Sequence, residues 1–179
     1  IITGTIISIY QYIIHLILDI SVYLVKQNII VFLFTVLITL GIYFIINYFN
    51  KKYPGYYGSG VPQVEAYNEG IYNFNPYKMI LFISINSLFA FFSNFLLGSE
   101  GSSVSIGTSI GMIQDKVLKE EKSNNHLLSG SSAFACAFVS PLAGICHLIE
   151  ENKKILSIKL VLKGIYVILI SFCISYLIY

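Results

Sequence analysis

Residues 98–111 read GSEGSSVSIGTSIG, a stretch made almost wholly of small side chains. It directly follows an apolar run over residues 76–97. Glu100 lies among its glycines and serines, with no cation nearby in the sequence. An ionisable group in such a segment is energetically costly and is by default a functional hypothesis. The pattern predicts a glycine-rich turn over residues 98–101 that leads into a helix over residues 102–111.

The composition of the whole chain is that of a membrane protein. Of its 179 residues, 56% are hydrophobic and only 11% are charged, whereas soluble domains are about 45–50% apolar and roughly 25% charged. This composition excludes the soluble, nucleic-acid-binding and disordered classes. A bilayer crossing takes about 20 apolar residues, so the chain has room for roughly five or six crossings. All of its basic residues are lysines, which disfavours bidentate phosphate recognition by side chains.

Five apolar stretches are candidates to enter the bilayer. They cover residues 6–25, 28–49, 76–97, 127–149 and 160–179. Pro141 interrupts the fourth stretch, which predicts two shorter helices that meet at Ser140–Pro141. His15 and Asp19 lie four residues apart in the first stretch and share one helical face. They form either a polar stripe or part of a transport path. Such a stripe would face other parts of the protein or the membrane–water interface.

A second polar stretch, GSGVPQVEAYNEG at residues 58–70, also predicts a glycine-rich turn before a helix, with Pro62 near the helix start. Broken segments of this kind point to a transport site. A helix N-terminus has about four unpaired N–H groups and roughly half a positive charge, so it binds an anion without arginine or lysine. Ser59 offers a further donor. Alternatively, the glycines only permit close helix packing, as we expect of Gly107 and Gly111.

The carboxylates suggest how such a site would be controlled. At a helix N-terminus, the Glu100 carboxylate would compete with a diffusible anion for the same N–H groups, and protonation would free the site. One glutamate would thus serve as gate and proton carrier. Glu150 and Glu151 precede Lys153 and Lys154. They form either a solvated helix end paired with those lysines or a proton entry point on the side opposite Glu100.

Three motifs, in this order, resemble the signatures of the CLC family of chloride channels and chloride/proton antiporters. They are GSGVP at residues 58–62, GSEGS at residues 98–102 and SPLAGICHLIEE at residues 140–151. The usual family forms are GSGIP, GREGP and a run with NAPLAG that ends in EE. The resemblance implies an all-α membrane protein of tilted, partly broken transmembrane helices with re-entrant helix N-termini. Residues 1–179 would form a single transmembrane domain, similar to the first of two inverted repeats.

The resemblance also implies residue roles. The implied anion-binding residues come from the two glycine-rich turns and are Gly58, Ser59, Gly60, Ser99, Glu100 and Gly101. Among them, Ser59 would coordinate the central anion, and backbone amides around Glu100 would line the outer site. Glu100 would be the gating glutamate. Glu151 is similar to the inner proton-transfer glutamate of the family's exchangers, which favours an anion/proton antiporter over a channel.

Two residues depart from the family pattern around Glu100. Ser99 stands where arginine is usual, and Ser102 stands where proline is usual. Losing the arginine removes a positive charge near the outer mouth, so anion capture or selectivity would change. A passive chloride or fluoride channel or transporter therefore remains an alternative to the antiporter.

The resemblance further implies partners and a location. We expect a multi-pass protein of the cell membrane that handles chloride and protons, without a metal or cofactor. The three cysteines match no zinc or disulfide framework. The second repeat is expected from the same longer chain or from another chain. A homodimer is expected, with the helix that carries Cys146 and His147 at the subunit interface, and a non-transporting half-length scaffold subunit is the alternative.

One motif is compatible with an enzyme. Residues 107–111 match the G-x-S-x-G pattern of a nucleophile elbow around Ser109, with His126 and His147 as candidate bases. That motif requires a strand–turn–helix context, whereas this stretch reads as helical. We therefore expect that the protein is not an enzyme.

Overall fold

The computed structural model of the chain describes residues 1–94, 98–119, 124–151 and 157–178. Within these ranges every regular secondary-structure element is a helix, as the sequence predicts. The helices are α1 (Ile2–Lys26), α2 (Ile29–Lys52), α3 (Val61–Asn68), α4 (Pro76–Phe92), α5 (Glu100–Leu118), α6 (Asn125–Ala137), α7 (Pro141–Glu151) and α8 (Ile158–Ile178). The fold is therefore that of an all-α membrane protein.

Among the described residues, α1, α2 and α8 are long and apolar enough to cross a membrane. The most apolar segment of α2 is only 6% buried inside the protein, compared with 33% for α1. In water such an apolar surface would be unstable, but hydrocarbon solvates it without penalty. The three helices match the predicted spans 6–25, 28–49 and 160–179 to within a few residues.

The predicted span over residues 76–97 is too long at its C-terminal end. Helix α4 ends at Phe92, and Asn94 adopts a left-handed backbone conformation with φ 55°. Helices commonly end before such a residue, because the left-handed turn redirects the chain. Residues 95–97 lie outside the described part of the chain.

The predicted break at Ser140–Pro141 is confirmed. Helix α6 ends at Ala137 and α7 begins at Pro141. Between them, Val139 adopts φ 50° and the Ser140 N–H donates to the Ala135 carbonyl at 2.9 Å. Proline fits the first position of α7 because its missing N–H would be unpaired there in any case.

Helix α5 starts earlier and ends later than the predicted range 102–111. It spans Glu100–Leu118, so Glu100 is its first residue rather than part of the preceding turn. A carboxylate in the first turn is favourable because it faces the positive end of the helix dipole. At the other end, residues 113–118, which mix apolar and charged side chains, continue the helix beyond its buried section.

The contact between α5 and α6 is the most extensive helix pair in the described part of the chain. A Cβ on Gly107 would lie 2.6 Å from the Ser129 carbonyl oxygen, and one on Gly111 would lie 2.5 Å from that of Asn125. These distances confirm that both glycines permit close packing. Two fully buried serines of these helices bond within their own helix: Ser109 donates to the Ser105 carbonyl and Ser132 to the Leu128 carbonyl, both at 2.7 Å.

Candidate functional site

Two helix N-termini follow the glycine-rich turns, as predicted. Helix α3 begins after Gly60, which adopts φ 79°, and it carries Pro62 in its first turn. Helix α5 begins after Ser99. Neither Gly60 nor Ser99 caps its helix with a side-chain hydrogen bond. The first N–H groups of α5 therefore lack the cap that an N-terminal serine usually provides.

The turn that contains Ser59 packs directly on the first turn of α5. A Cβ on Gly101 would lie 2.7 Å from the Ser59 Cβ and 3.3 Å from its Oγ, so glycine is required for this approach. The Ser105 hydroxyl donates to the Ser59 carbonyl at 2.8 Å. The Ser59 Oγ accepts a long bond of 3.4 Å from the Val61 N–H. Two motifs about 40 residues apart in the sequence are thus joined at one point.

The Glu100 side chain folds back over the preceding glycine. A Cβ on Gly98 would lie 2.9 Å from the Glu100 Cδ, in the space that the carboxyl group occupies. Glu100 and Ser59 both line a cavity of about 860 Å³, whose other walls come largely from α2 and α4. The carboxylate therefore lies at the positive end of α5 and beside the Ser59 turn.

The predicted anion-binding residues divide into two groups around this cavity. Gly58, Ser59 and Glu100 line it. Gly60 is buried, and its missing side chain leaves space for the Ser105 side chain. Ser99 and Gly101 flank Glu100 in the chain, and the missing side chain of Gly101 leaves space for Ser59. The structure thus brings both turns together, and the anion-binding roles themselves remain predictions.

Helix α1 bonds to the first turn of α5 through side chains that the sequence analysis did not assign to the site. The Tyr10 hydroxyl donates to Ser102 Oγ at 2.8 Å. Gln11 Nε2 donates to Ser103 Oγ at 3.0 Å, and Ser99 Oγ donates to Gln11 Oε1 at 3.0 Å. The sequence gives one signal for this contact: Gln11 is a polar amide inside the apolar stretch over residues 6–25, and a buried polar group requires a partner.

Glu151 lies at the end of α7, outside the three candidate spans. It lines a small cavity of about 10 Å³ together with Glu65, Asn68 and His147. Burial raises the pKa of Glu151, and the nearby carboxylates of Glu65 and Glu150 raise this pKa further. The proximity of Glu65 was not predicted, because nothing in the sequence indicates that α3 approaches the end of α7.

Helix α5 connects the surroundings of the two glutamates. Its residue Thr108 lines the Glu151 cavity, and Glu100 at its start lines the larger cavity. These residues are eight positions apart, which corresponds to about 12 Å along a helix at ~1.5 Å per residue. The predicted pairing of Glu150 and Glu151 with Lys153 and Lys154 involves residues outside the described part of the chain.

Two other sequence hypotheses have structural outcomes. Ser109 lies in the middle of α5 and is fully buried, so the G-x-S-x-G match is not a strand-to-helix elbow. His15 and Asp19 both lie on the exposed surface of α1. Neither residue lines the cavity that contains Glu100.

The comparisons with known proteins agree with the motif resemblance. Residues 38–179 match the family described as voltage gated chloride channel. The H(+)/Cl(-) exchange transporter ClcA of Vibrio cholerae serotype O1 is 33% identical over 115 residues, covering 62% of this chain and 24% of that protein. The transporter of the same name from Cronobacter sakazakii is 30% identical over 150 residues, covering 79% of this chain and 32% of that protein.

The fold, the paired helix N-termini and these matches define a membrane protein of the chloride-channel type. The chain belongs to the voltage-gated chloride channel family, known as the CLC family. It spans about a quarter to a third of the length of the curated relatives that it matches.

Proposed function

We propose that the protein transports chloride across the cell membrane in exchange for protons, with Glu100 as the gating residue. Family membership and the exchange transporters among its relatives support this function. The observation that carries the proposal is the shared cavity, in which the Glu100 carboxylate and Ser59 lie beside the N-terminus of α5.

The chemistry follows from the donors available at this position. Backbone N–H groups in the first turn of α5 and the Ser59 hydroxyl would bind chloride, assisted by about half a positive charge from the helix dipole. The Glu100 carboxylate carries the same charge as chloride and requires the same donors. Chloride and the ionised carboxylate therefore exclude each other. When Glu100 takes up a proton, its attraction to the helix end is lost and chloride enters.

The proton would reach Glu100 from the Glu151 side of the protein. Glu151 is surrounded by Glu65 and His147 in a separate cavity. Burial and the neighbouring carboxylates raise its pKa, so Glu151 holds a proton to a higher pH than an ordinary glutamate does. We propose that Glu151 passes protons along α5 toward Glu100, while chloride follows the path past Ser59.

The complete transport unit would need further protein. Ser59 is exposed in this chain, although a transported anion requires a site enclosed by protein. We propose that a second repeat, from the same longer chain or from another chain, closes the cavity. We also propose a homodimer through α7, where Leu142, Cys146 and Ile149 are exposed on one helical face.

The test is transport by the full-length protein in liposomes, with chloride and proton movements recorded together. Glu100→Gln is expected to abolish proton movement coupled to chloride. Glu151→Gln is expected to slow proton movement while chloride still passes. Glu69→Gln is the control, because it removes the same charge at the end of α3 and Glu69 itself lines neither cavity.

Three results would contradict the proposal. Coupling that survives Glu100→Gln would exclude Glu100 as the gate. Chloride movement without protons in the unmodified protein, or a preference for fluoride, would favour the passive channel or the fluoride transporter. No flux above that of empty vesicles would favour a scaffold subunit.

A further inference from the structure

Three exposed lysines lie together where α2 ends and α4 begins. Lys51 and Lys52 are the last residues of α2, and Lys78 is in the first turn of α4. The Lys52 Nζ lies 5.8 Å from the centroid of the Tyr53 ring, and the Lys78 Nζ lies 5.6 Å from the same centroid. The two ammonium groups are therefore held near one ring, where each gains a cation–π contact.

The Tyr53 ring is held in place by the packing of α2 on α4. Its centroid lies 5.0 Å from that of Phe82 on α4, and Phe82 also contacts Phe49 near the end of α2. One turn further along α4, Asn86 Nδ2 donates to Asn50 Oδ1 at 3.3 Å. The two neighbouring helix ends thus fix the place at which the lysines from α2 and α4 meet.

The positive charge at this place is not balanced by nearby acidic residues. Neither aspartate nor glutamate occurs in residues 20–64 or 70–99, which include all of α2 and α4. No carboxylate in the described part of the chain forms an ion pair with Lys51, Lys52 or Lys78. Lys78 also lies at the positive end of the α4 dipole, where a cation is unfavourable. An anion between Lys52 and Lys78 would offset their mutual repulsion.

The surface next to the lysines is apolar and continues along both helices. Ile45 and Phe49 are exposed on α2 before Lys51 and Lys52. Leu81 and Ile85 are exposed on α4, three and seven residues after Lys78, and so lie on the same helical face as that lysine. Tyrosine and lysine are typical of the interface at which a spanning helix leaves the hydrocarbon. A ligand bound here would therefore have an anionic end at the interface and an apolar end in the bilayer.

We propose that Lys52, Tyr53 and Lys78 form a binding site for the headgroup of an anionic phospholipid, whose acyl chains lie along the exposed apolar surfaces of α2 and α4. Both ammonium groups would donate to the lipid phosphate, and Lys51 would add to the local positive potential. A zwitterionic lipid has the same phosphate, but its own cation offsets the attraction. A free phosphate has no acyl chain and gains nothing from the apolar surfaces.

The experiment measures lipid binding by native mass spectrometry of the full-length protein in detergent. Dioleoylphosphatidylglycerol, which is anionic, is expected to bind more tightly than dioleoylphosphatidylcholine, which is zwitterionic. Lys78→Gln is expected to weaken phosphatidylglycerol binding about fivefold, which at ~1.4 kcal/mol per tenfold change is about 1 kcal/mol, the typical contribution of one lysine near an anionic surface. Lys78→Arg retains the charge and is expected to bind within about twofold of the unmodified protein.

Two further variants separate this site from general attraction between lysines and anionic lipids. Lys26→Gln is the matched control, because Lys26 is an exposed lysine that lies just before the start of α2, at the end opposite to Lys52. It is expected to leave phosphatidylglycerol binding unchanged. Tyr53→Leu removes the ring that both ammonium groups approach and is expected to weaken binding, whereas Tyr53→Phe keeps that ring and is expected to retain it.

Several outcomes would overturn the inference. Equal binding of the two lipids would show that the headgroup charge is not recognised, and equal losses in Lys26→Gln and Lys78→Gln would show that the attraction is not local. Displacement of phosphatidylglycerol by inorganic phosphate at the same concentration would identify a site for the free anion instead. Because the lysines are exposed, their variants are expected to fold, and they test the site even if Tyr53→Leu does not fold. The readout is lipid binding, so the result is independent of the proposed chloride transport.

Discussion

Replacing Gly107 with alanine is expected to force α5 and α6 apart. The added Cβ would lie 2.6 Å from the carbonyl oxygen of Ser129, well inside the 3.4 Å at which ordinary contact begins. The obstructing atom belongs to the α6 backbone, so no rotation of a side chain relieves the clash. One of the two helices would have to shift.

The expected change in the free energy of unfolding for Gly107→Ala has two contributions of opposite sign. Overpacking a closely packed site destabilises by about 1–3 kcal/mol. Alanine is also the better helix former, by about 0.8–1.0 kcal/mol relative to glycine. Gly41→Ala in α2 isolates the second part, because a Cβ there would have nothing within 4 Å. The difference in the free energy of unfolding between the two variants should therefore be about 1–3 kcal/mol.

The assay is unfolding by sodium dodecyl sulfate in mixed micelles, followed by circular dichroism because the chain contains no tryptophan. Gly41→Ala is expected to unfold at the same or a higher detergent fraction than the unmodified protein. Gly107→Ala should unfold at a lower fraction than Gly41→Ala. If the two variants shifted the transition equally, the close crossing of α5 and α6 at Gly107 would be refuted.

Two further predictions concern charge and capping. Glu65→Gln is expected to lower the pKa of Glu151, because the Glu65 carboxylate raises that pKa. The midpoint of Glu151-dependent proton uptake should therefore move to lower pH, whereas Glu69→Gln should leave the midpoint unchanged. A shift of the midpoint to higher pH would contradict the effect of Glu65 on Glu151. Asn75→Ala is expected to destabilise the fold by about 1 kcal/mol, because the Asn75 Oδ1 accepts N–H bonds at 3.0 and 3.4 Å in the first turn of α4. The control is Asn73→Ala in the same loop, and equal unfolding midpoints for the two asparagine variants would contradict the cap.

The breaks in the helices were predictable because they have local causes. Pro141 has no N–H and disfavours a helical conformation at the preceding residue, so a break before Pro141 follows from the sequence alone, whereas the end of α6 at Ala137 does not. The turns before α3 and α5 were also predictable, because glycine readily adopts the backbone conformations that turns require. The far end of α5 was not predicted, because the range 102–111 stopped with the small residues, although Ile113 and Val117 continue an i, i+4 apolar pattern to Leu118.

The assembly of the site could be predicted only in part. Helix N-termini and Glu100 were identified from local chemistry, and their meeting with Ser59 was implied by the family motifs. The contact between Gln11 and Ser99 joins residues 88 positions apart, and no local pattern relates them. The approach of Glu65 to Glu151 is equally a product of tertiary packing. Partners of this kind are fixed by the fold, so a single sequence does not reveal them.

The serines between α5 and α6 have a consequence for how the sequence can vary. Ser109 and Ser132 each donate to a carbonyl of their own helix, both at 2.7 Å, and so neither of these hydroxyls depends on the other helix for its acceptor. Replacement by alanine or glycine would leave the surface nearly unchanged in shape. This interface therefore restricts the volume of its residues far more than their polarity: exchange of these two serines for alanine is open to it, whereas Gly107 and Gly111 admit no added Cβ.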